Sequence, residues 1–179
     1  AWNGYRHFEL YYATSGIGLV CHTINPRLPP DQISYIINHA NDQYLFVDVN
    51  LFQLVAKLGR QLKTLKGVVV MTSQDHMPEV TKLDKIVPVH CYETAIAKQS
   101  DKIEWPEFDE NTASSLCYTS GTTGSPIGGL YSHRSTLLHA YAAQMKDGIS
   151  LGAIDCVLPA VPMFHVNALS LIHISEPTR

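Results

Sequence analysis

Residues 119–124 read Thr-Ser-Gly-Thr-Thr-Gly, six positions holding only Ser, Thr and Gly. Glycines let a backbone approach a ligand closely and turn its N–H groups inward. The hydroxyls of Ser120, Thr122 and Thr123 add further donors. A loop of this kind suits an anionic ligand such as a triphosphate. It is not a Walker A loop, because Gly121 is not followed at the required spacing by Gly-Lys-Ser/Thr. The same composition also describes an ordinary flexible connection. Its position directly after an apolar strand favours binding, since open α/β sheets take their ligands at strand ends.

Other constellations offer less. Histidines 7, 22, 39, 76, 90, 133, 139 and 165 are scattered, with no HExxH or other tight ligand spacing, so no metal site is expected. No Gly-x-Ser-x-Gly elbow occurs, which leaves a hydrolase of that type without a nucleophile. Cys117 falls inside an apolar strand and reads as core. His133 and Arg134 could face phosphate from the start of a helix or form its solvated first turn. Trp105-Pro106-Glu107-Phe108 reads as a surface anchor with no assigned chemistry. His165 alone reads as a satisfied histidine at a strand–helix junction.

The elements that must position these residues alternate along the chain. Tyr5–Ser15 predicts a helix with one apolar face, ended at Gly16-Ile17-Gly18. Leu19–Ile24 predicts a strand, and Pro26, Pro29 and Pro30 then argue against regular structure. Asp31 opens a helix carrying Ile33, Ile36, Ile37 and Ala40 at helical spacing. Strand Tyr44–Val47, helix Leu51–Leu58 and strand Gly67–Met71 follow. Segment 72–113 is less regular, with a short helix near Glu93–Lys98 and a polar loop over 101–112. Ser114–Tyr118 is a strand, about Ser132–Met145 a helix, and Cys156–Val161 a last strand. This alternation predicts an α/β fold, a layered and mainly parallel sheet with flanking helices.

Composition excludes several classes. The 179 residues are 45% apolar and 16% charged, enough to bury a core and too few charges for a disordered chain. The net charge of −3 supplies no basic excess for a nucleic-acid duplex. No apolar run reaches the 18 residues of a membrane span. The four cysteines, 21, 91, 117 and 156, are far apart, as expected for reduced thiols in the cytoplasm. Ala1-Trp2-Asn3-Gly4 does not read as the start of a signal peptide, so the chain is expected to begin in mid-protein.

Tyr118–Pro126 (YTSGTTGSP) resembles the phosphate-loop signature of the adenylate-forming superfamily, which holds acyl-CoA synthetases, luciferases and nonribosomal peptide adenylation domains. Tyr131–Ser135 and Val161–Ala168 (VPMFHVNA) resemble its following segments. His22–Leu28 (HTINPRL) and Trp2-Asn3 with its helix resemble the fatty-acyl-CoA synthetase branch, in its medium- and long-chain or methylmercaptopropionate-CoA ligase forms. The resemblance runs over residues 1–168. It implies part of a large N-terminal adenylation domain, using ATP, Mg²⁺ and coenzyme A to convert a fatty acid to its thioester. By that resemblance Thr119, Ser120, Gly121, Thr122, Thr123 and Gly124 cradle the β- and γ-phosphates. His165 shapes the acyl site and orients the carboxylate, with Phe164 and Val166 as walls and Asn167 as a hydrogen-bonding neighbour. A cytoplasmic homodimer is implied for the whole protein. A non-catalytic phosphate-binding module and an aryl- or amino-acid-activating branch remain as alternatives.

The chain departs from the family pattern in three places. Ile127 stands where the family has a lysine, which removes one charge-assisted contact to phosphate. Gly129 stands where an aliphatic residue is common, which should loosen the strand that follows. Each departure is one nucleotide change from the usual residue, so both are candidate read errors. The string Leu169–Arg179 (LSLIHISEPTR) resembles a translated sequencing adaptor and is expected to be foreign, leaving 1–168 as the native part. The family's adenine, ribose and C-terminal lysine motifs are not in the chain, so these 179 residues alone are expected to be inactive.

Overall fold

The computed structural model describes residues 1–119, 125–152, 154–156, 158 and 161–165. They divide into two compact units. The first holds Ala1, residues 24–104 and residues 125–126; the second holds residues 2–23, 105–119 and the described residues from 127 onward.

In the first unit the helix α2 spans Pro30–His39 and buries Ile33, Ile36 and Ile37. Pro30 was expected to forbid regular structure and instead starts this helix. At a helix N-terminus the missing proline N–H would have had no intrahelical partner, and its fixed φ suits the first turn. Asp31 lies in that first turn, where its charge matches the helix dipole. Strand β2 (Tyr44–Val47) and helix α3 (Phe52–Leu58) follow, separated by a single 3-10 turn. Then come β3 (Gly67–Val70), the short helix α4 (Thr81–Asp84), β4 (Val89–Cys91) and the short helix α5 (Tyr92–Ile96).

The sheet order is β2-β3-β4, all parallel, with Val47 beside Val70 and Val70 beside Cys91. All four residues of β3 are buried. A central parallel strand covered on both faces reads as continuous Val rather than as an alternation, and GVVV does so. Ile33, Ile37, Phe52, Val55, Leu58, Val68 and Leu83 meet in one core cluster. Strand β4 was not expected. Its three residues, Val-His-Cys, are too few to show a period.

In the second unit α1 spans Tyr5–Gly16, and the chain leaves it through Gly18 at φ +75°. Strand β1 is Cys21–Thr23, shorter than the expected 19–24, and Leu19 and Val20 are exposed. Strand β5 (Ala113–Thr119) runs parallel to β1, and β6 (Ile127–Ser132) returns antiparallel beside β5. The α/β expectation holds, with three of the four strand pairings among the described residues parallel. Helix α6 is His133–Gln144. Its start is a capping box, in which Ser132 Oγ accepts from Ser135 N–H at 3.1 Å and Ser135 Oγ accepts from Ser132 N–H at 3.0 Å.

Period and composition show no strand over 127–132, and only the family pattern, through Gly129, implied one. Two glycines in six residues hid the strand signal. The expected strand 156–161 is absent among its described residues, where Leu158 is 89% exposed.

Candidate functional site

Strand β5 and the returning β6 define where the Ser/Thr/Gly loop is anchored. Thr119 is exposed at the end of β5 and pairs with Ile127, the first residue of β6. Ser120, Gly121, Thr122, Thr123 and Gly124 lie outside the described residues. Thr119 is therefore the one expected phosphate-loop residue that the structure places.

The two glycines of β6 have different surroundings, and only the second is a departure from the family pattern. A Cβ on Gly128 would meet the Tyr118 ring at 3.0 Å and Leu116 at 3.2 Å, so this glycine is held by packing. A Cβ on Gly129 would stand 3.6 Å from the Tyr131 hydroxyl and 3.7 Å from the Cys117 carbonyl, which are ordinary contacts. The strand tolerates a side chain at 129 and has no need of glycine there. Ile127 is 65% exposed, in a position open to a longer side chain.

His165 is exposed, at the end of a turn in which its N–H donates to the Pro162 carbonyl at 2.9 Å. Met163 and Phe164 just before it are buried. Phe164 meets the Trp2 ring edge-on, with centroids 6.1 Å apart. Val166 and Asn167 lie outside the described residues.

The segment before His165 is held from the start of the chain. Asn3 Nδ2 donates to the Val161 carbonyl at 3.2 Å, and Asn3 Oδ1 accepts from Met163 N–H at 2.6 Å. The Tyr11 hydroxyl donates to the Met163 carbonyl at 2.8 Å. Burial pushes that phenol well above its ordinary pKa range, so it is a neutral donor. His7 is buried, stacks on Tyr11 at 5.1 Å and donates from Nδ1 to the Trp2 carbonyl at 3.0 Å. No reading of the sequence gave Asn3 or Tyr11 a role. Partners about 150–160 positions apart leave no local pattern.

Within the same unit, α1, β5, α6 and the segment around Trp105 line an open pocket of about 920 Å³. Tyr11, Ser114, Trp105, Phe108, His133 and His139 are among its lining. Trp105 and Phe108 therefore do anchor: a Cβ at Gly16 would overlap the Trp105 ring, and one at Gly18 would stand 3.2 Å from Phe108.

His133 and Arg134 face the polar loop. Arg134 pairs with Glu110 through its guanidinium, and its N–H donates to the Glu110 carbonyl at 2.8 Å. The His133 ring lies 4.8 Å from that of Phe108, and desolvation lowers its pKa below the usual histidine value. Cys117 is half-buried in β5. Among the described residues no cluster of three or more His, Cys, Asp or Glu could hold a metal, and no helix is long and apolar enough to cross a membrane.

The model of the family described as "AMP-binding enzyme" matches residues 1–175. A 3-methylmercaptopropionyl-CoA ligase of Ruegeria lacuscaerulensis is 54% identical over 168 residues, which are 94% of this chain and 30% of the relative. A medium-chain-fatty-acid–CoA ligase of Ectopseudomonas oleovorans is 49% identical over the same shares. The chain thus spans about a third of the length of the curated relatives it matches. Among solved structures, a red-emitting luciferase from Phrixothrix hirtus superposes with a TM-score of 0.80 at 21% identity, over 97% of this chain and 34% of the luciferase. At that identity the likeness establishes the fold alone.

Proposed function

Because the chain belongs to the family of AMP-binding enzymes, we propose that it is the N-terminal part of an ATP-dependent ligase that joins a fatty or related carboxylic acid to coenzyme A. The observation that carries this reading is the 54% identity to a CoA ligase over 168 residues, within which β5 ends at Thr119 just before the Ser/Thr/Gly loop.

A carboxylate is a poor acyl donor because its carbonyl is resonance-stabilised and its leaving group would be oxide. In the proposed reaction a carboxylate oxygen attacks the α-phosphorus of ATP, and the bond to pyrophosphate breaks. The coenzyme A sulfur then attacks the acyl carbonyl, AMP leaves, and the thiol proton passes to solvent. Thr119–Gly124 supply amides and hydroxyls to the β- and γ-phosphates as charge moves onto pyrophosphate. His165 orients the carboxylate for in-line attack, with Phe164 behind it. Mg²⁺, which the resemblance implies, would neutralise charge on the phosphates, a role that needs few protein oxygens because phosphates and water fill the rest of its shell. Residues 1–168 are taken as native and 169–179 as foreign, a reading supported by the adaptor-like string. The cytoplasmic location and homodimeric state of the whole enzyme belong to the same proposal.

The test is pyrophosphate release by the full-length protein. Thr122→Ala and Thr123→Ala should each slow carboxylate-dependent release at least tenfold, as expected for losing one hydrogen bond to a charged group, about 1.5–3 kcal/mol. Ile127→Lys should speed it about tenfold by the same arithmetic. If both threonine variants keep the wild-type rate, the loop does not hold the phosphates. The second reading, a phosphate-binding module without catalysis, is favoured by Ile127 alone, since that residue leaves out a positive charge.

A further inference from the structure

The backbone before His165 is gripped at three atoms by two side chains. Asn3 takes the Val161 carbonyl and the Met163 N–H, and Tyr11 takes the Met163 carbonyl. Both polar atoms of the Met163 peptide are therefore fixed, two residues from the His165 side chain. The Trp2 ring closes on Phe164 from the next position. Tyr11 is 1% exposed, and its ring is backed by His7, which in turn holds the Trp2 carbonyl. The head of α1 is thus one connected frame, and the turn Val161–His165 is set in it.

From this geometry we infer that Asn3 and Tyr11 are positioning residues for His165: they set where its imidazole stands without touching substrate themselves. The inference rests on the reading of His165 given above. An asparagine suits the role because its carboxamide offers a donor and an acceptor side by side, matching a carbonyl and the N–H two residues later. Alanine would free both. A tyrosine hydroxyl buried and neutral donates one bond that phenylalanine lacks. A reacting group displaced by about 1 Å can lose on the order of 100-fold in rate.

The experiment uses the full-length protein with Asn3→Ala, Tyr11→Phe and, as a control on the same helix, Thr14→Ala. The Thr14 hydroxyl bonds back to the Leu10 carbonyl within α1 itself. Amide hydrogen exchange at Met163 and the kinetics of carboxylate-dependent pyrophosphate release are both measured. Exchange at Met163 should rise at least tenfold in Asn3→Ala and stay near wild type in Thr14→Ala. In Asn3→Ala and Tyr11→Phe, kcat should fall roughly 10- to 100-fold while the KM for ATP stays within twofold. Thr14→Ala should leave both kinetic constants unchanged. Unchanged exchange in Asn3→Ala overturns the grip. Raised exchange with wild-type kcat overturns the positioning role. A wild type that releases no pyrophosphate overturns the functional reading instead, and exchange then decides the grip alone.

Discussion

The two units fill their interiors differently. Residues 24–104 stack α2, α3 and α4 on a short all-parallel sheet whose central strand is wholly buried. Of the buried apolar residues described, only Tyr11, Cys21, Met163 and Phe164 belong to the second unit. There the sheet is mixed, and Leu130, Leu137, Leu138, Tyr141 and Met145 are all more than half exposed. The first unit is held by apolar packing. The second holds its buried residues with polar grips as well, and those grips lie beside His165.

One device appears in both units. In the first, Asn38 donates to the Gln61 carbonyl at 2.7 Å and accepts from Lys63 N–H at 2.8 Å. In the second, Asn3 does the same for Val161 and Met163. Each carboxamide pairs with a carbonyl and the N–H two residues on, as a neighbouring strand would. In the first unit this tie supplements a dense core. In the second it is a main support of the segment it holds.

The largest expected effect lies in the first unit. Phe52, 1% exposed, sits in the core cluster, and Phe52→Ala should cost about 3–5 kcal/mol in urea unfolding. A loss below 1 kcal/mol would mean that the apolar core is not what holds this unit.

The next effect is particular to the second unit. Burial pushes the Cys21 thiol from 9.0 up to about 11. Between pH 9 and 11 the unfolded chain gives up this proton while the folded chain keeps it. Stability is therefore full below pH 9 and falls by roughly 2–3 kcal/mol as pH rises through the window. The buried Tyr11 phenol adds a loss of the same sign that begins as pH passes 10, where the unfolded phenol ionises. Cys21→Ala should flatten the first part of the decline in a pH series of unfolding midpoints. An unaltered slope would show that this thiol is not the group responsible.

Smaller again is Gly18→Ala, which should cost about 1–2 kcal/mol because position 18 has φ +75° and faces Phe108. Gly129→Val, with ordinary contacts around its Cβ, should cost nothing by the same measurement or stabilise slightly. A comparably small effect is expected at Leu137, 56% exposed on α6, where Leu137→Gln should move stability by no more than about 0.5 kcal/mol. A Leu137 cost matching that of Phe52 would erase the difference between the units.

What could be read from the sequence did not follow that division, since each unit held elements that showed and one strand that did not. The helices α1, α2 and α3 and the strands β2, β3 and β5 announce themselves through period and composition, because their apolar residues recur locally. Strands β4 and β6 did not, being respectively three residues long and broken by Gly128 and Gly129. Pro30 misled because proline both ends and begins helices, and only the following apolar spacing distinguishes the two. Strand β5 was legible up to Thr119, and the Ser/Thr/Gly string that follows stands out in the sequence because its residues are contiguous. The frame around His165 was not, because Asn3 and Tyr11 reach it across the whole chain. A carboxamide's backbone partners are set by the fold and leave no trace in neighbouring residues.

The activity proposed for the full-length protein is activation of a carboxylate with ATP. ATP–pyrophosphate exchange by the full-length protein, with and without a medium-chain fatty acid or 3-methylmercaptopropionate, tests it most directly. Exchange should appear only when the carboxylate is present and be abolished or strongly reduced by Thr122→Ala with Thr123→Ala. ATP binding with no carboxylate-dependent exchange would contradict it and leave a phosphate-binding module in its place.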